Sequence, residues 1–415
     1  SSEEAPPLQP YDVAGWTLPY QFDVEVIEVT TPLSDDVRGA MKPVEGEVVD
    51  WRPFFQQNVD PASRDIDAAP FDSAPGLGFD TDPVAAGIVP PVGELTGSGV
   101  ALALSPAQNN SFRAINQAWR EGGRVQFHEG RYVVSGLSDQ VAGELHLRAE
   151  RTAASGTAVS QPRIGLYRSW RPTEDEGWTR WLLEQYGFEF TSLRNTDFHS
   201  RPLGDRFDVI VFADYDTRTI LQGFRVGSAP PQYAGGIGSR GVRALREFVE
   251  AGGTLVCLNR SSAFAIQELN LPVKNVVADL DTQDFYVGGS LLEVAVDPAH
   301  PVMAGMPTKA NVFVGQSPVF TTTEGFKGAA LAKYQEAGSP LLSGYLLGEE
   351  HINGYAAALD VRHADGHVIL IGFRPQWRGQ AFGTFRVLFN AALFHGENAA
   401  DSQGSKDFWN PPPER

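Results

Sequence analysis

Cysteine is almost absent from this chain of 415 residues, where Cys257 stands alone. A single thiol excludes an intramolecular disulfide framework and any cysteine-rich zinc cluster. Lysine is scarce as well, with Lys42, Lys274 and Lys309 among the few. Most positive charge is therefore arginine, which suits fixed bidentate contacts to carboxylates. Positive charge as a whole is outweighed, because 33 Lys and Arg face 51 Asp and Glu for a formal net charge of −18. That balance repels nucleic acid and anionic membrane surfaces. No run approaches the eighteen or so apolar residues of a membrane span. Ser1-Ser2-Glu3-Glu4 has no basic segment followed by an apolar one, so no signal peptide is read there. What remains is a globular composition, 42% hydrophobic and 20% charged, at a length that suits two or three domains. A core of that size folds without disulfides or a structural metal.

Residues 1–51 break short extended runs, such as Phe22 to Ile27, with prolines, and predict an extended N-terminal arm. Residues 52–155 predict a small β-rich α+β domain with one helix. Its first part, to about residue 90, is rich in Pro, Asp and Gly and reads as a covering loop. Val100 to Leu104 then reads as a strand and Asn110 as the cap of a helix that turns Phe112, Ile115 and Trp119 inward. Strands Arg124 to Phe127 and Arg131 to Val134 follow Gly122-Gly123. The Ala, Ser, Thr and Gly of 148–161 read as a linker.

From 162 to 397 strands and helices alternate, the signature of an open, mostly parallel α/β sheet. The predicted strands are Arg163 to Tyr167, Phe188 to Leu193, Phe207 to Ala213, Thr254 to Leu258 and Val368 to Gly372. Thr173 with Glu176 predicts a capping box, Ser239 the cap of a helix, and Phe382 to Phe394 a closing helix. Residues 285–347 interrupt with antiparallel-looking runs such as Leu291 to Val296. The tail, 398–415, reads as flexible.

The α/β order resembles the class I glutamine amidotransferase-like fold, an open sheet of flavodoxin-like kind. In that family a nucleophilic cysteine sits on a tight strand-to-helix turn, and a His-Pro-Glu after a late strand completes the triad. Here the turn after Thr254 to Leu258 is Asn259-Arg260-Ser261, and the late strand runs into Arg374-Pro375-Gln376. The resemblance thus implies a degenerate triad at Asn259, Arg374 and Gln376. An amide is no acyl-transfer nucleophile, and a permanently charged guanidinium is no general base. Cys257 lies inside the strand and reads as a small buried hydrophobe.

A wider resemblance rests on Tyr11-Asp12-Val13-Ala14-Gly15-Trp16-Thr17-Leu18-Pro19, on Asn110 to Asn116, on Gly235 to Gly238, and on Phe373 to Gln380. These segments look like landmarks of the region that follows the catalytic domain in bacterial M14-family zinc-carboxypeptidase-like proteins. The resemblance implies a periplasmic or secreted protein and a metallocarboxypeptidase-like catalytic domain as partner, separate or cleaved. The catalytic domain itself is lacking, and none of the eight histidines has Glu three residues later. His363 and His367 flank a hairpin turn at Ala364-Asp365-Gly366, surface histidines are expected, and no metal or cofactor is. Gly236 to Gly241 spells G-x-G-x-x-G but follows no strand directly, so it reads as a mobile glycine loop.

Ligands of open α/β sheets sit beyond the carboxyl ends of the strands. Those ends carry Trp170, Arg171, Asp214, Asp216, Arg260, Arg374, Trp377 and Arg378. Arginines beside aromatics suit a carboxylate or peptide terminus, or else they pair with Asp214 and Asp216 to lock the loops. Three functions follow. The first is a non-catalytic accessory or scaffold module of the peptidase. The second is a stand-alone binding protein using the arginine-lined cleft. The third is a hydrolase acting through Asp214, Asp216 or Ser261, for which no motif supplies a base.

Overall fold

The computed structural model describes residues 18–22, 34–40, 93–400, 404–405 and 407–413. Expectations for the rest of the arm and for the covering loop to residue 92 lie outside the described residues. The chain divides into two compact units, residues 1–25 with 95–415, and residues 26–94. In the smaller unit Asp35–Ala40 is helical. In the larger one the described piece of the arm, Leu18–Phe22, is a helical turn rather than extended chain. It is seated by a ring stack of Phe22 on Phe382 at 4.7 Å and by Gly383 N donating to Gln21 O at 3.0 Å.

The core of the large sheet is parallel because its strands are continuous apolar runs. Val209–Phe212 and Thr254–Leu258 are buried at every position, as strands covered on both faces must be. Across the sheet the order is Gly366–Ile371, Thr254–Leu258, Val209–Phe212, Ile164–Tyr167, Phe190–Leu193, with each adjacent pair parallel. The winding reverses between Ile164–Tyr167 and Val209–Phe212. Beyond Gly366–Ile371 the sheet turns antiparallel through Ala356–His363, Gly328–Lys333, Ser290–Val296 and Lys309–Val314. The antiparallel runs of 285–347 are therefore a wing of the same sheet, and the hairpin at Ala364-Asp365 joins the two parts.

Several local expectations are corrected. Residues 148–161 are no free linker: Arg148–Thr152 and Thr157–Val159 are strands of a six-stranded antiparallel sheet built on Ala101–Leu104 and its neighbours. Short polar strands become legible only through their partners. Asn110 does not cap its helix; its amide reaches over to Leu145 O at 2.9 Å. Thr173 makes no side-chain cap, and the Ser239 helix begins one residue earlier at Gly238. The closing helix is shorter, Phe385–Ala392. Gly236 is packed rather than mobile, since a Cβ there would meet Ile220 O at 2.3 Å. The described tail is pinned: Ser405 bonds both carboxylate oxygens of Asp297, and Trp409 Nε1 donates to Gly354 O at 2.8 Å.

The small sheet shares its core with the large one. Phe112 lies 5.0 Å from Phe389, and the Tyr132 hydroxyl donates to Asn390 Oδ1 at 2.9 Å. Apolar burial of this kind, at about 25 cal/mol per Å², is the dominant adhesive between the layers.

Candidate functional site

The carboxyl ends of three neighbouring parallel strands place Asp214, Asn259 and Arg374 together. Val209–Phe212 runs out through Ala213 into Asp214, which is 1% exposed. Thr254–Leu258 ends at Asn259, whose φ of +53° makes the sharp strand-to-helix turn before the helix Ser261–Glu268. Asn tolerates that left-handed backbone better than most residues. Its N–H donates to Ile371 O at 2.7 Å, tying the turn to the next strand.

Asp214 is the hub. Its Oδ1 accepts from Asn259 Nδ2 at 3.1 Å, from the Arg260 backbone N–H at 3.0 Å and from Arg260 Nε at 2.8 Å. Its Oδ2 accepts from Arg260 Nη2 at 2.8 Å and Arg374 Nη2 at 3.0 Å. The other end of the Asn259 amide accepts from Ser317 Oγ at 2.5 Å. Arg374 also reaches Asp175 Oδ1 at 3.4 Å. Burial pushes the Asp175 carboxyl up to about 7 against the pull of Arg374, and its Oδ2 has no partner among the described residues. Asp175 and Glu176 look like ordinary first-turn helix acids in the sequence; instead both are buried, and Glu176 pairs with Arg168 and Arg180. Ser317, in the antiparallel wing, gave no sequence signal.

The other candidates disperse. Asp216 caps the helix Thr217–Gln222 by accepting from Thr219 N at 2.8 Å and Thr219 Oγ1 at 2.7 Å. Burial alone would raise that carboxyl, but these bonds hold it below its ordinary value. So Asp214 and Asp175, not Asp216, pair with the arginines that were expected to lock the loops. Trp170 lies under the Arg194 guanidinium at 3.7 Å and edge-on to Tyr233 at 4.6 Å. Arg171 stands 6.0 Å over Phe224. Trp377 stacks on Phe313 at 4.7 Å, with Arg374 and Arg378 over its ring at 4.7 and 5.0 Å. Gln376 is fully buried, and neither end of its amide has a partner among the described residues.

Chemically this is a closed polar network, with no poised nucleophile among the described residues. Burial raises the Cys257 thiol, which lies within the strand. The Ser261 hydroxyl is turned back onto the main-chain carbonyls of Leu258, at 2.8 Å, and Phe212, at 3.1 Å. A carboxylate with five charged or polar donors is fixed as an acceptor.

The histidines are not all on the surface. His300 and His367 are buried on either side of Asp360, with His300 Nε2 at 3.2 Å from Oδ2 and His367 Nδ1 at 2.8 Å from Oδ1. His300 Nδ1 accepts from Val302 N, so its proton sits on Nε2 and is donated to Asp360. Burial would raise the Asp360 carboxyl, but the two imidazole hydrogen bonds bring it down to about 2. His395 is buried too, bonded to Ser160 O at 3.0 Å. The apolar interior admits these rings because each finds an acceptor. Among the described residues no group of three or more His, Cys, Asp or Glu is placed to hold a metal ion, and no helix is long and apolar enough to cross a membrane.

No family model matches the chain, and no curated protein matches it in sequence. Among solved structures it is similar to a cytoplasmic protein of Salmonella typhimurium, at 16% identity and TM-score 0.37, over 56% of this chain and 98% of that one. A ThuA-like protein of Bacteroides uniformis matches at 14% identity and TM-score 0.31, over 58% and 93%. A GMP synthase protein of Thermoplasma acidophilum matches at 11% identity and TM-score 0.34, over 56% and 95%.

Proposed function

We propose that this chain is a non-catalytic accessory module that supports or docks to a zinc-carboxypeptidase-like domain outside the cytoplasm. One observation carries the non-catalytic half of the reading: Asn259 occupies the nucleophile turn with both ends of its amide committed, to Asp214 and to Ser317. Arg374, where the resembling family has its base, is paired with Asp214 and bonded to Asp175. Losing a catalytic triad costs on the order of a million-fold in rate. A frame this rigid at the strand ends suits a body that presents other surfaces.

The partner half of the reading rests on the landmark segments of the sequence. It is supported by the way Leu18–Phe22 is seated on the large unit, with Tyr20 and Phe22 left 37% and 41% exposed. Exposed aromatics of this kind suit a further apolar contact. The test is affinity purification of the tagged chain from its native source. A metallopeptidase chain carrying His-x-x-Glu and a distant His is expected to accompany it in stoichiometric amount. Recovery of the chain alone overturns the partnership.

A further inference from the structure

Next to the Asp214 network a cleft of about 260 Å³ opens, lined by Arg260, Asn275, Phe285, Tyr286, Gln316 and Ser317 among others. Its size is just below the usual range of small-molecule pockets, so any occupant is small. Arg260 enters it in an unusual state. Nε and Nη2 are both held by Asp214, and Nη1 has no hydrogen-bond partner among the described residues, on a side chain 38% exposed. The guanidinium plane is therefore fixed before any ligand arrives, and holding it costs binding little further entropy. Asn275 is oriented likewise: its Oδ1 accepts from Val277 N at 3.3 Å and Val319 N at 3.0 Å, which leaves Nδ2 to donate. Ser317 is excluded as a ligand-binding donor, since its hydroxyl is given to Asn259 at 2.5 Å. None of the residues lining the cleft is acidic.

We propose that this cleft binds a small monocarboxylate with a flat apolar body. The carboxylate sits on Arg260 Nη1, and the body lies against Phe285 and Tyr286. The one remaining donor edge of an Arg260 already paired with Asp214 suits a single carboxylate, and the lining offers no acid to the ammonium group of an amino acid. A neutral amide of the same shape forfeits the charge-assisted bond, the stronger kind. This assignment goes beyond the accessory-module reading and stands or falls without it.

The test is calorimetric titration of the whole chain with phenylacetate, phenylacetamide and L-phenylalanine. Saturable one-to-one binding of phenylacetate is expected, with phenylacetamide and L-phenylalanine at least about tenfold weaker. Arg260→Gln should weaken phenylacetate binding by about tenfold or more. Because that change also disturbs Asp214, Thr282→Trp provides a second variant, filling the cleft from an exposed lining position outside the ion network. It should abolish binding while leaving the thermal midpoint unchanged. Absence of saturation by phenylacetate overturns the proposal. So does equal affinity for the amide or the amino acid, or undiminished binding by folded Thr282→Trp.

Discussion

Asn259 donates its side-chain N–H to Asp214 Oδ1 across 3.1 Å, joining the tight turn after one buried strand to the end of its neighbour. The bond makes the residue at this tight turn a structural crosslink. Asn259→Ala should therefore destabilise the chain by roughly 2–4 kcal/mol, from three lost side-chain hydrogen bonds and a strained left-handed backbone. Asn259→Gly should cost less, because glycine accepts the backbone. Urea unfolding of both variants decides it, and equal losses would show that the φ of +53° carries no strain.

Placing a thiol at the turn should not create glutaminase activity. Asn259→Cys is expected to release no more ammonia from glutamine than the parent chain, because the carboxylate beside the turn, Asp214, is held by Arg260 and Arg374. An ammonia assay showing turnover that is abolished by alkylation would refute the account of Arg374 as a paired, structural residue.

Removing the hub should be severe. Asp214→Asn leaves Arg260 and Arg374 without their shared counter-charge, a loss of about 3–5 kcal/mol for a buried pair. Arg374→Met, which removes a charge from the same network, should partly rescue the double variant. A double-mutant cycle that is strictly additive would count against the network.

Asp175 makes the protein less stable as pH rises. Its carboxyl holds a proton in the folded state up to about 7, whereas the unfolded chain releases it near 4. Below about pH 4 the group is neutral in both states and costs nothing. Between about 4 and 7 the unfolded state is increasingly favoured, by on the order of 4 kcal/mol in all. Asp175→Asn should raise the thermal midpoint at pH 8 and leave it unchanged at pH 4. The opposite order would place the charge, not the burial, in control.

Asp360 has the reverse sign. With its carboxyl held at about 2 by His300 and His367, its contribution is complete above about pH 4 and is lost as pH falls through 2. That contribution is on the order of 2 kcal/mol. Asp360→Asn should therefore be clearly destabilising at pH 7 in chemical unfolding, and its deficit should shrink towards pH 2.

The central strands were legible because doubly covered strands are written as unbroken apolar runs, as in Val209–Phe212 and Thr254–Leu258. The inward face of Gly238–Glu250 was legible for a similar reason, since Val242, Leu245, Phe248 and Val249 recur at helical spacing. The position of Asn259 on a turn followed from the strand before it and the helix after it. Its partners did not, because Asp214 and Ser317 lie 45 and 58 residues away and only the sheet brings them together. Asp175 was hidden because an acid in a helix's first turn is ordinarily solvated. Thr157–Val159 was hidden because three small residues carry no period until Arg124–His128 lies beside them. His300 and His367 look like surface residues in the sequence because nothing local announces the carboxylate between them.

The hydrogen bond from Tyr132 to Asn390 spans 258 residues. A ribosome adding roughly 5–20 residues per second needs about 13–50 seconds to cross that interval. Once they leave the exit tunnel, Phe112 and Tyr132 wait for the Phe385–Ala392 helix that covers them. The small sheet is thus open to holdase chaperones until that helix is made, and synthesis rate sets the duration of that exposure.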